Sequence, residues 1–127
     1  MSQVQIVANQ QPGGFIVVDP GNKVTVTISG SWKYDGGSPP CGAAGVGGSI
    51  NDNSFPEDGA PIGCCLWNFL PNGGGHIRGW FQADNQTITW GDTSPGDGQY
   101  QFLINDQYNH PDDNSGYLTL TYNFSPR

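Results

Sequence analysis

The sequence predicts an all-β fold: a small antiparallel β-sandwich of jelly-roll type, with almost no helix. Three observations carry that expectation. Apolar and polar residues alternate with period two in one short run after another. Clusters of Gly, Pro, Asn and Asp separate the runs, as turns require. No segment holds an apolar period of 3.6 residues over three turns, so nothing reads as an amphipathic helix. Seven or eight short strands at this spacing fit a two-sheet sandwich, and the 127 residues suit one domain, 1–127.

In chain order, Val4, Ile6 and Ala8 alternate with polar neighbours before the turn Pro12-Gly13-Gly14. Phe15-Ile16-Val17-Val18 is a short apolar run closed by Asp19-Pro20-Gly21-Asn22. Between Lys23 and Ser29, Val24, Val26 and Ile28 face one way and Thr25, Thr27 and Ser29 the other. Asp35 to Gly63 then forms an irregular stretch longer than ordinary connections, a length that usually serves function. Strand patterns resume at Leu66–Leu70, Ile77–Phe81, Gln86–Trp90 and Tyr100–Ile104. The last run, Tyr117–Phe124, puts Leu118, Leu120, Tyr122 and Phe124 on one face and Thr119, Thr121 and Asn123 on the other, the mark of a half-buried antiparallel strand.

Composition narrows the function. Eleven acidic side chains face only Lys23, Lys33, Arg78 and Arg127, a net charge of −7. Such a chain repels phosphate backbones and anionic lipid, so neither nucleic acid nor a membrane surface is an expected partner. No apolar run approaches the roughly 20 residues of a membrane-spanning helix. The N-terminus has neither a basic segment nor an apolar core of signal-peptide length. Cytoplasmic synthesis is expected, with any release or surface association by another route. Cys41, Cys64 and Cys65 are odd in number and lack metal-site spacing, so they read as small buried hydrophobes, with one disulfide pair, Cys41 and either neighbour, as the alternative. Trp32, Trp80 and Trp90 lie in strand-like runs and read as core.

Ten of the eleven carboxylates are Asp, the residue that calcium loops favour. The densest constellation is Asn105-Asp106-Gln107-Tyr108-Asn109-His110-Pro111-Asp112-Asp113-Asn114-Ser115-Gly116, between the last two strands. Calcium takes six to eight oxygens from carboxylates, amides, carbonyls and water, and this loop offers all the protein types. Pro111 fixes a bend that can turn the His110 carbonyl inward. EF-hand spacing is absent. No nucleophile elbow, phosphate loop or zinc-protease motif is present, so binding rather than catalysis is expected.

The spacing Asn105-Asp106 … Asp113-Asn114-Ser115-Gly116, followed by a closing strand, resembles the calcium loop of the PA-IL (LecA) family of bacterial galactose-binding lectins. Further features run in the same order: Val7-Ala8-Asn9, then Asp19-Pro20-Gly21-Asn22-Lys23-Val24-Thr25-Val26, then Trp32 with Tyr34-Asp35-Gly36, then Pro56-Glu57-Asp58-Gly59. The likeness spans most of the chain and is sparse in the middle.

It implies a Ca²⁺ held between two loops, its coordination completed by two vicinal hydroxyls of galactose. Asp106, Asp113 and Asn114 would give side-chain oxygens, and His110 its backbone carbonyl. A second carbonyl would come from Tyr34 or Asp35: counting from Trp32 favours Asp35, residue type favours Tyr34. Asp106, Asp113 and His110 would also meet the sugar, with Phe55, Asp58 and Tyr108 flanking it. The resemblance further implies galactose-containing glycans as partners and a homo-oligomer, tetrameric in that family, which gives weak sites avidity. Two departures stand out. The family usually has an amide where Asp113 stands, and a carboxylate only accepts hydrogen bonds. Phe55 and Asp58 replace the His and Gln that grip the sugar's primary hydroxyl. The alternative is an interaction module with a purely structural calcium site or an altered sugar specificity.

Overall fold

The computed structural model describes residues 2–10, 13–34, 39–46, 60–70, 77–90, 98–105 and 114–126. These contain eight strands and no helix: β1 (Ser2–Val7), β2 (Gly14–Val18), β3 (Asn22–Lys33), β4 (Cys65–Leu70), β5 (Ile77–Trp80), β6 (Thr87–Trp90), β7 (Gly98–Ile104) and β8 (Ser115–Pro126). They form two antiparallel sheets, ordered β1-β8-β3-β6 and β2-β7-β4-β5. That order, with consecutive strands mostly exchanged between sheets, is the jelly roll.

Period-two alternation explains which side chains meet. From β3, Val24, Val26, Ile28 and Trp32 turn inward; from β8, Leu118 and Leu120; from β7, Tyr100, Phe102 and Ile104. Each fully buried large apolar side chain stabilises the fold by about 1.5–3 kcal/mol relative to exposure. Trp90 is the centre of an aromatic group, stacked on Tyr100 at 4.9 Å and tilted against Trp67 at 4.8 Å. Trp32 and Trp90 are thus core residues, as their strand positions predict. Trp80 belongs to a smaller cluster on the outer side of the second sheet, with Ala60, Cys64, Leu66 and Leu103.

Between Lys23 and Lys33, at the two ends of β3, the outer face of the first sheet is uncharged and hydroxyl-rich. Thr27 pairs with Thr121 on one side and Thr87 on the other. Hydroxyl–hydroxyl bonds join Thr27 to Thr87 at 2.9 Å and Thr25 to Thr89 at 3.2 Å. Cross-strand pairs of this kind strengthen a sheet without charge, which is how a chain with few charged residues covers its solvent side.

One expectation needs correction. Phe124 shares its parity with Leu118 and Leu120 yet is 44% exposed. There β8 runs opposite the first residues of β3, and the Phe124 ring contacts Tyr122 edge-on at 5.5 Å. Within the stretch from Asp35 to Gly63, residues 39–46 and 60–63 are described and belong to no named strand. Cys41 forms a two-way backbone bridge with Trp32, and residues 42–45 close a turn in which Gly45 adopts φ +77°.

Candidate functional site

Register brings the roots of both candidate calcium loops to one end of the sandwich. Lys33 pairs with Ser115 at the end of the ladder, so the exit of β3 lies beside the entry of β8. Cys65 pairs with Ile104, which brings the entry of β4 beside the exit of β7. The exit of β1 joins them, because the Ala8 amide donates to the Gly116 carbonyl at 3.1 Å.

Buried asparagines pin both roots of the 105–114 loop. Asn105 is fully buried; its side-chain Nδ2 donates to the carbonyls of Ala60 (3.2 Å) and Pro61 (3.0 Å). Its backbone exchanges hydrogen bonds with Cys64 (2.9 Å) and Gly63 (2.8 Å). Asn114 is 4% exposed, and its Nδ2 donates to the Ala8 carbonyl at 3.0 Å. That acceptor fixes the orientation of the amide, since the flipped form would set two oxygens against each other. Asn114 Oδ1 is then left buried with no hydrogen-bond partner among the described residues. A buried acceptor without a partner costs about 1–3 kcal/mol, and a cation is one group that satisfies it. Asn68 Oδ1 shares this condition, but it lies beside the irregularity between Trp67 and Asn68 in the β4–β5 pairing, away from either loop root.

Tyr34 is half-buried, with its side chain packed on the main core. Only its backbone is therefore suited to serve a cation. Of the other sequence candidates, Asp35, Phe55, Asp58, Asp106, Tyr108, His110 and Asp113 lie outside the described residues. Among the described residues, no group of three His, Cys, Asp or Glu side chains is arranged to hold a metal. Among the described residues the donors at the loop roots are thus neutral: the Asn114 amide oxygen and backbone carbonyls. Such donors fit calcium, which accepts amide and backbone oxygens alongside carboxylates.

The three thiols do not suit this role. Cys41, Cys64 and Cys65 are all buried, and none is in a disulfide. Burial pushes the Cys41 thiol up to about 11, with the charge of Asp84 adding to it. Burial, and then the neighbouring Cys64, raise Cys65 well above the ordinary thiol range. Protonated thiols are poor metal ligands and poor nucleophiles.

Sequence reasoning missed the anchors. Asn105, Ala8, Trp32 and Gly63 tie the loop roots together, and only the placement of Asn105 directly after a strand hinted at it. Compared with known proteins, the chain matches no family model, and no curated protein matches it.

Proposed function

We propose that this protein is a calcium-dependent, galactose-type lectin that binds without catalysing a reaction. In this reading Asp106, Asp113 and Asn114 hold the ion through side-chain oxygens, with the carbonyls of His110 and of Tyr34 or Asp35. Two carboxylates neutralise the ion, and the neutral donors leave positions that suit sugar hydroxyls. Bound calcium supplies a Lewis-acidic centre that makes those hydroxyls stronger hydrogen-bond donors. Asp106 and Asp113 then accept from them. Phe55, Asp58 and Tyr108 shape the rim and tune preference among galactosides.

One observation carries the proposal: Asn114, the residue at which the resemblance asks for an amide ligand, keeps its Oδ1 buried at the loop root, with no hydrogen-bond partner among the described residues. The ladder between β3 and β8 ends at Lys33–Ser115, so Tyr34 and Asp35 both stay candidates for the second carbonyl. Multivalent presentation in a homo-oligomer, with galactose-containing glycans as partners, belongs to the same proposal.

Thermal unfolding separates this reading from a purely structural calcium site. A ligand that binds only the native state stabilises it by mass action, about 2.7 kcal/mol at a hundredfold excess over Kd. A lectin raises its Tm with calcium and then again with galactose. A response to calcium alone, with galactose, mannose and fucose all silent, would favour the structural site.

A further inference from the structure

The segment between Ala60 and Cys65 touches both loop roots, and Gly63 is where they meet. The Gly63 carbonyl accepts from the indole Nε1 of Trp32 at 2.7 Å and from the Cys41 thiol at 3.7 Å. Its amide donates to the carbonyl of Asn105 at 2.8 Å. Trp32 is the penultimate residue of β3, two before Tyr34, and Asn105 immediately precedes Asp106. One peptide unit on each side of Gly63 therefore links the exit of β3 to the exit of β7.

The position admits no other residue without displacement. Gly63 has φ +78°, in the left-handed region that side chains disfavour. A Cβ there would lie 2.9 Å from Cys41 Sγ and 3.2 Å from Tyr34 Cδ1. Cys41 is held by its bridge to Trp32 and Tyr34 by the core, so neither moves independently of the loop root.

We infer that Gly63 is a positioning residue for the cation: it sets the spacing between the Tyr34 root and the Asn105 root by bonding both at once. The inference rests on the calcium reading above. Calcium tolerates a range of geometries but needs its oxygens within about 2.3–2.6 Å, so displacement of one root by a few tenths of an ångström is felt directly as lost affinity.

The test titrates calcium alone into the full-length protein and its variants by calorimetry, with Tm recorded for each. Gly63→Ala is expected to weaken calcium binding at least tenfold. Val24→Ala, a buried change at the far end of β3, is expected to lower Tm with calcium affinity unchanged, which separates positioning from general stability. Wild-type affinity in a folded Gly63→Ala protein would overturn the inference. If Gly63→Ala does not fold, Trp32→Phe answers the same question, since it removes the indole donor to Gly63 and keeps an aromatic ring. Weaker calcium binding in that variant supports the inference, and unchanged binding overturns it. Failure of the wild-type protein to bind calcium would overturn the lectin reading and this inference together. Wild-type binding with indifferent variants would overturn this inference alone.

Discussion

Asp106→Ala is expected to abolish calcium-dependent galactose binding while the far-UV spectrum of the β-sheet stays unchanged. Asp106 follows Asn105, whose backbone and side chain are bonded to residues 60–64, so the anchor of the loop survives the substitution. What is lost is one of two carboxylates proposed to neutralise the ion. Removal of an outer-shell partner alone typically costs 10–100-fold in metal affinity, so loss of a direct charged ligand is expected to exceed about 100-fold. Sugar binding falls with it, because the hydroxyls have no ion to join. Calorimetry with calcium, then with galactose, reads both losses, and wild-type sugar affinity in this variant would remove Asp106 from the site.

The second large effect is conditional on calcium. Asn114→Asp retains an oxygen at the Oδ1 position but replaces the donor to Ala8 with a carboxylate oxygen, in a place that is 4% exposed. A buried acceptor facing a carbonyl with no donor between them costs about 2 kcal/mol or more. In a domain of this size that lowers the Tm without calcium by roughly 5–10 °C. Calcium then gains a third carboxylate where the wild-type protein offers an amide. The calcium-induced rise in Tm should therefore be larger in Asn114→Asp than in the wild type. Equal calcium shifts in the two proteins would mean that Asn114 Oδ1 faces no cation.

The eight strands were legible because each carries a local signal, a period-two alternation or a short apolar run, and burial follows the alternation closely in β3 and β7. The end of β3 was harder to read: Gly30 breaks the pattern, yet the strand continues through Trp32 to Lys33 by pairing with β8. Phe124 shows the converse, an alternation that outruns the core. Strand order is a property of long-range pairing, and no local pattern in β1 announces β8 as its neighbour.

For the site, residue types in the 105–114 loop pointed to oxygen ligation, and their spacing pointed to a family resemblance. Neither revealed how the loop is held. Asn114 read as a ligand and not as an anchor, Asn105 as one more polar loop residue, although both amides are buried at the loop's roots, and Gly63 as one glycine among 20. Those roles arise from contacts between segments distant in the chain, such as Gly63 with Trp32, Asn105 with Ala60 and Asn114 with Ala8, and composition does not encode them.

Calorimetric titration of galactose into the calcium-saturated protein, repeated after EDTA treatment, tests the central claim most directly. The expected result is galactose heat with calcium, none with EDTA, and recovery on adding calcium back. Galactose binding of equal strength in EDTA, or no heat from any sugar in a protein shown to bind calcium, would contradict it.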